Sequence, residues 1–271
     1  MNLNTVTEVK RPRSLDEIQG WRAGNAWLAG GTWLFSEPQI HTDTLIDLEM
    51  LQWPSLTVTD DGLEIAATCR IADLYAFEAP KAWNAAPLIG ECCRSFLSSF
   101  KIWNEATIGG NIVMSLPAGP MISLTTGLEA RYELWPREGP ARTVPAIDFV
   151  TGVHENVLAP GELVRSILLP LAALRKRHAF RRASLTHLGR SSVLLIGTRG
   201  DGDILLTVSA ATLRPFHVRF ARALSFVEMR EAIDAAIPTD QYLDDVHGSP
   251  KHRRHLTHHF AHEICEELAS E

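Results

Sequence analysis

"KIWNEATIGGN", Lys101–Asn111, sets two adjacent glycines between an isoleucine and an asparagine, just after an apolar, helix-like run. Gly109 and Gly110 are costly to order, because a residue without a Cβ loses the most backbone freedom on folding. A second pair makes the same demand near the start of the chain: Gly30-Gly31 in "LAGGTWL", Leu28–Leu34. Each pair follows an apolar run and precedes a side chain that can hydrogen-bond, Thr32 in one case and Asn111 in the other. Bare backbone lets amides approach a ligand and curve into an anion-binding nest, which can hold a pyrophosphate with few positive side chains. Two tight turns or bulges would use the same residues, and spacing alone leaves both readings open.

The bulk properties narrow the choice. The chain has 271 residues, 45% of them apolar, enough for a sizeable core and too many for a disordered chain. Lys and Arg number 26 against 32 Asp and Glu, a net charge of -6, which argues against nucleic acid as the main partner. The basic runs "KRPR" and "LRKRHAFRR" read as surface. No segment reaches the roughly 18 apolar residues of a membrane helix. The opening "MNLNTVTEVKRPRS" lacks the apolar run of a signal peptide, so a cytoplasmic location is expected, with export beside a signal-bearing partner left open. The four cysteines, Cys69, Cys92, Cys93 and Cys265, form no C-x-x-C pair and read as buried reduced thiols. If the protein moves electrons, this spacing gives it no metal cluster of its own.

Along the chain, strands precede helices, an α+β arrangement. "SLDE", Ser14–Glu17, has the form of a capping box opening a helix. "NAWLA" and "TLIDL" read as strands flanking the first glycine pair. "LTVTDDGLEIAAT" is a hairpin around Asp61-Gly62. A helix is expected from about Pro87 to Phe100, then strands in "ARYELWP", "ARTVPAIDFV" and "GELVRSILLP". From about Leu174, "AFRRASLTH", "SVLLIGTR" and "DILLTVSAAT" alternate as strands, and two helices, "SFVEMREAIDAA" and "SPKHRRHLTHHFAHEICEELA", close the chain. The expected units are 1–52, 53–172 and 173–271.

Several chemistries lack their motifs. There is no G-x-S-x-G elbow, no phosphate loop of the G-x-x-x-x-G-K-[ST] type and no G-x-G-x-x-G fingerprint; "GTRGDG" has its glycines in the wrong order and lies at a hairpin. His255, His258, His259 and His262 fall at i, i+3, i+4 and i+7, so at least three share one helix face. Histidines four apart can bind zinc, but no H-E-x-x-H arrangement is present, and the alternative is a solvated helix face.

Taken together, the motifs resemble those of a known family. "LAGGTWLF" resembles the first flavin loop, and "ATIGGN" the second, of the FAD-binding subunits of molybdenum hydroxylases. These are the medium subunit of carbon monoxide dehydrogenase and the matching central domain of xanthine dehydrogenase. "TLIDL" lies at the family's distance, "LAPGELVRSILLP" and "AFRRAS" resemble two of its strands, and the final third is similar to its C-terminal domain. The resemblance implies a two-lobed FAD-binding fold of the vanillyl-alcohol oxidase and cell-wall reductase type. A C-terminal α/β domain of the carbon monoxide dehydrogenase flavoprotein type would follow it.

The resemblance also implies a site. Leu28, Ala29, Gly30, Gly31, Thr32, Trp33 and Leu34 would form the first loop, with the amides of Gly30, Gly31 and Thr32 on the FAD pyrophosphate. Thr107, Ile108, Gly109, Gly110 and Asn111 would form the second, with Gly110 and Asn111 close to the phosphates and ribityl chain. Leu163 or Val164 would lie near the isoalloxazine ring. Arg181 falls where family members often carry a lysine; a cation there would stabilise reduced, anionic flavin. Two positions depart from the family. Pro120 stands about where an aspartate is frequent, and Trp103 where an arginine is frequent.

The function implied is that of an electron-transfer subunit with no catalytic side chain of its own. A partner large subunit would carry the molybdenum cofactor, and a partner small subunit two [2Fe–2S] clusters. FAD would take electrons from the clusters and pass them to a soluble acceptor. Two rival readings are a stand-alone flavin oxidoreductase of the same fold and an assembly module that has lost its flavin. The first needs a proton donor over the flavin, and Tyr75, Tyr132 and Tyr242 lie outside the flavin motifs.

Overall fold

The computed structural model describes residues 3–18, 20–221 and 224–270. The chain begins with β1 (Glu8–Lys10), β2 (Asn25–Leu28) and β3 (Thr44–Asp47), a parallel sheet of order β1-β3-β2. All of β3 is buried, as a central strand covered on both faces should be. The expected capping box at Ser14–Glu17 does not form. The segment makes a single 3-10 turn, Leu15–Glu17, in which the Glu17 amide donates to the Ser14 carbonyl rather than to its hydroxyl. The Glu17 carboxylate takes the Arg13 amide instead, at 3.0 Å.

The second unit is an antiparallel sheet accompanied by helices. The hairpin around Asp61-Gly62 gives β4 (Leu56–Thr59) and β5 (Gly62–Ala66). Five helices follow: α1 (Ile71–Tyr75), α2 (Pro87–Ser95), α3 (Phe100–Trp103), α4 (Ile108–Val113) and α5 (Pro120–Gly127). Next come β6 (Arg131–Trp135), β7 (Arg142–Pro145), α6 (Ala146–Phe149), the small β8–β9 pair (Val150–Gly152 and Glu155–Asn156), β10 (Leu163–Pro170) and α7 (Leu171–Leu174). The sheet runs β4-β5-β10-β6-β7.

Two expectations fail here. The helix expected from Pro87 to Phe100 stops at Ser95, because Ser99 turns extended as the N-cap of α3 and the Trp103 indole donates to the Phe96 carbonyl at 3.0 Å, tying the break closed. "ARTVPAIDFV" is not one strand; it bends at Pro145 into α6.

The third unit is a meander of β11 (Arg177–Ser184), β12 (Ser191–Arg199), β13 (Ile204–Ser209) and β14 (Phe216–Phe220), covered by α8 (Phe226–Ala236) and α9 (Pro250–Ala269). Every residue of β13 is buried. β14 is an addition to the sequence reading. Here a capping box does form, with Ser225 and Glu228 satisfying each other's amides at the start of α8.

Helix α5 joins the second and third units. All eight of its residues are buried, and it packs on α2 and α4 as well as on β12 and β13. Two of its three hydroxyls are paired, Ser123 with Ser209 at 2.7 Å and Thr125 with Tyr132 at 2.5 Å, while the Thr126 hydroxyl is buried without a partner. The four cysteines are buried core residues, and burial pushes the Cys69 and Cys93 thiols up to about 12. Much of the basic run after Leu174 holds the fold together: Lys176 pairs with Glu129, and Arg177 donates to the Ser270 carbonyl at 2.8 Å past the end of α9. Among the described residues no helix is long and apolar enough to cross a membrane.

Candidate functional site

The two glycine motifs lie against one another. The first loop leaves β2 at Leu28 and turns through Gly31, whose φ of +68° favours a residue without a Cβ. The second motif opens α4. Thr107 is its N-cap and accepts the Gly110 amide at 3.1 Å. Gly109 and Gly110 therefore lie in the first turn of a helix, not in a loop. An ideal Cβ on Gly30 would stand 1.7 Å from the Glu105 carbonyl oxygen, so the first loop can dock on the second motif only through a bare Cα. A Cβ on Gly109 would stand 2.6 Å from both the Cβ and the carbonyl oxygen of Ala67. Three of the four glycines thus serve the chain's own packing or backbone. Gly110 differs. Its Cβ would meet only the Thr107 hydroxyl, at 3.0 Å, and otherwise open space.

That open space is a cleft of about 630 Å³, within the range of cofactor and ligand pockets. Its wall contains all of Leu28, Ala29, Gly30, Gly31, Thr32, Trp33 and Leu34, together with Thr107, Gly109, Gly110, Asn111, Leu163 and Val164. Two of the expected site residues lie elsewhere. Ile108 points into the core and is fully buried. Arg181 faces α9, where its guanidinium donates to Glu263 at 2.6 Å and Glu267 at 2.8 Å. The side chain of a strand residue can serve only one face of the sheet, and in β11 that face is turned to the last helix.

The amides divide unequally between the motifs. Those of Ile108, Gly109, Gly110 and Asn111 are already bonded, to the Cys69 carbonyl, the Ala67 carbonyl, the Thr107 hydroxyl and the Thr107 carbonyl. The expected donation from Gly110 and Asn111 to a phosphate therefore has no free amide behind it. In contrast, no acceptor among the described residues takes the amides of Gly30, Gly31, Thr32, Trp33 or Leu34. Consecutive unpaired amides around a left-handed residue form an anion-binding concavity. The Trp27 indole N–H, also in the cleft wall, is buried without a partner.

The departures at Pro120 and Trp103 have local explanations. Pro120 is the first residue of α5, where its missing N–H costs nothing. Asn111 supplies the next bond by accepting the Met121 amide at 3.1 Å, so its side chain ties the second motif to α5. Trp103 pins the Phe96 carbonyl, and Phe96 lines the cleft.

Among the described residues of the cleft wall, only Glu162 and Arg190 carry charge. Glu162 is buried, accepts two 2.7 Å bonds from Arg142 and one from the Ala159 amide, and is held below the ordinary carboxylate range chiefly by Arg142. Arg190 has no carboxylate partner among the described residues. The sequence reading did not assign Arg190 or Trp27. Both lie close in sequence to quoted motifs, but only the fold turns them toward the cleft. The tail histidines do not converge. His258 bonds Asp234 at 2.8 Å, while His259 and His262 each face the glutamate four residues on. No group of three or more potential metal ligands occurs among the described residues.

A cleft with a run of unpaired backbone amides in a largely apolar wall, on an α+β scaffold, has the chemistry to receive a phosphate-bearing ligand. Residues 5–172 match the family described as the FAD binding domain in molybdopterin dehydrogenase, and the chain belongs to that family. A 122-residue stretch is 30% identical to the xanthine dehydrogenase of Oryza sativa subsp. japonica, spanning 43% of this chain and 9% of that one. Over 76 residues the chain is 37% identical to the carbon monoxide dehydrogenase medium chain of Afipia carboxidovorans, covering 28% of this chain and 26% of that one. These matches therefore span only small parts of the relatives.

The fold is shared more widely. The carbon monoxide dehydrogenase of Hydrogenophaga pseudoflava has a chain that superposes with a TM-score of 0.81 at 20% identity, over 96% of each chain. A chain of quinoline 2-oxidoreductase from Pseudomonas putida 86 gives 0.77 at 17% identity, over 97% of this chain and 96% of that one.

Proposed function

We propose that the cleft holds FAD and that the chain is the flavin-carrying electron-transfer subunit of a heteromeric molybdenum hydroxylase. The observation that carries this reading is the run of unpaired amides from Gly30 to Leu34, set in the wall of a largely apolar cleft. A diphosphate needs donors, and these five supply them with little positive charge. Gly110 leaves room for the phosphates, Trp27 offers a further donor, and Leu163 and Val164 give an apolar surface for the ring system. Arg190 takes the role first assigned to Arg181, a cation beside a cofactor that becomes anionic when reduced. Bound FAD supplies a centre that takes electrons singly and releases them in pairs.

Among the described residues the cleft wall holds no histidine, tyrosine, lysine or cysteine to donate a proton to a substrate. Glu162 is held ionised by Arg142. Tyr132 is buried on Thr125, Tyr242 lies in the C-terminal core, and Tyr75 packs on Trp103. This favours electron transfer over a stand-alone flavin oxidoreductase. The organic substrate would be oxidised on a large subunit holding the molybdenum cofactor, with [2Fe–2S] clusters on a small subunit between the two centres. Co-expression with candidate molybdenum and iron–sulfur subunits, followed by flavin assay of the purified complex, tests the reading. Near-stoichiometric FAD is expected; a folded complex without flavin would overturn it.

A further inference from the structure

A second concavity, of about 660 Å³, lies between α8 and the first half of α9 and shares no lining residue with the flavin cleft. Its wall contains Arg230, Lys251, Arg254, His255, His258 and His259, and no carboxylate. In a chain of net charge -6 this is an uneven distribution.

Partnered and unpartnered side chains separate cleanly. Arg254 and His258 share Asp234, with Arg254 donating to both its oxygens at 2.8 and 2.6 Å. His259 faces Glu263. Arg230, Lys251 and His255 are exposed and have no carboxylate partner among the described residues. Arg230 instead lies 5.7 Å from the centre of the half-exposed Phe226 ring, which also forms part of the wall. The start of α9, a 20-residue helix, opens into the same space through Ser249, Pro250 and Lys251, adding the positive end of its dipole.

A helix start alone would mean little. A roomy concavity with two uncompensated cations (Arg230 and Lys251), the exposed imidazole of His255, two hydroxyls (Thr239 and Ser249) and an aromatic face is a different matter. The geometry points to a binding site for a polyphosphate anion, free or carried by a nucleoside, in the C-terminal unit. Low-dielectric walls around one sign of charge concentrate such anions. Phe226 provides a surface on which a base can stack. The site stands apart from the flavin cleft and holds whether or not the electron-transfer reading does.

The test is calorimetric titration of the FAD-loaded full chain with inorganic pyrophosphate and with ADP, for the wild type and for the double variant Arg230→Ala/Lys251→Ala. Saturable binding of at least one probe is expected, weakened at least tenfold in the double variant, with flavin content unchanged. Both side chains are exposed, so the variant keeps the fold. Tighter binding of ADP than of pyrophosphate, erased by Phe226→Ala, assigns the site to a nucleoside phosphate. Equal binding assigns it to free polyphosphate. Absence of binding by either probe at millimolar concentration overturns the proposal, as does binding that the double variant leaves unchanged.

Discussion

Gly109 and Gly110 are neighbours in one helical turn, yet the structure assigns them opposite sensitivities. Gly110→Val adds a side chain whose Cβ meets only the Thr107 hydroxyl at 3.0 Å, and whose methyls enter the cleft. The helix itself is little affected, since glycine and valine are both modest helix formers. The loss falls on the ligand. Displacing a diphosphate from one or two charge-assisted bonds, each worth about 1.5–3 kcal/mol, weakens FAD binding roughly 10- to 25,000-fold.

Gly109→Val instead drives a Cβ to 2.6 Å from Ala67, where the obstacle is backbone as well as side chain. Overpacking of this kind costs about 1–3 kcal/mol or more, seen as a fall in Tm of several degrees. The assay is FAD titration by fluorescence quenching beside a thermal melt of each apo-variant. Gly110→Val should melt near the wild type and fail to load flavin; Gly109→Val should melt early. Wild-type FAD affinity in Gly110→Val, or an equal loss of stability in both, would refute the reasoning.

Four further outcomes are expected. Arg190→Ala should weaken FAD about fivefold, the effect of roughly 1 kcal/mol of lost ionic contact, whereas Arg181→Ala should leave flavin affinity unchanged; titration of both variants decides between them. Glu162→Gln should lower stability by about 1–3 kcal/mol, discounted for the half-exposed Arg142, as measured by urea unfolding. Acidification should destabilise the fold in two stages, followed by Tm against pH. His258 lies below its ordinary 6.5 because burial disfavours the imidazolium, so the unfolded chain binds that proton more readily and stability starts to fall as pH drops through about 6.5. Glu162 and Asp234 are depressed by their arginine partners, so their contribution is complete above the unfolded values, near 4.5 and 3.8, and is lost as pH falls through the lower folded ones. His258→Ala with His259→Ala should change this acid profile and leave flavin content as it was.

Much of the fold was legible because its signals are local. The Asp61-Gly62 turn, the alternating runs of β12 and β13, and the apolar "TLID" strand declare themselves within a few residues. Ser14–Glu17 misled because a capping box describes a helix start, and nothing in four residues says that the helix stops after one 3-10 turn. The break at Phe96 rests on a bond from Trp103, seven residues away. The candidate site was read from its motifs, and the cleft wall contains thirteen of the fifteen residues named for it. The sequence could not reveal the division of labour among the glycines, since Gly30 answers to the Glu105 carbonyl and Gly109 to Ala67, contacts set only by the fold. Arg181 was misplaced for a related reason: a strand residue's face depends on what packs against the sheet, and α9 lies about 80 residues further on in the chain.

Rapid reduction of the co-purified complex tests the central claim most directly. With organic substrate added, the iron–sulfur absorbance should change first and the flavin colour should bleach next, at a rate no slower than turnover. Loss of flavin in Gly110→Val should leave the clusters reducible but cut transfer to the acceptor. A flavin that stays oxidised throughout steady turnover, or full transfer to the acceptor without it, would contradict the account.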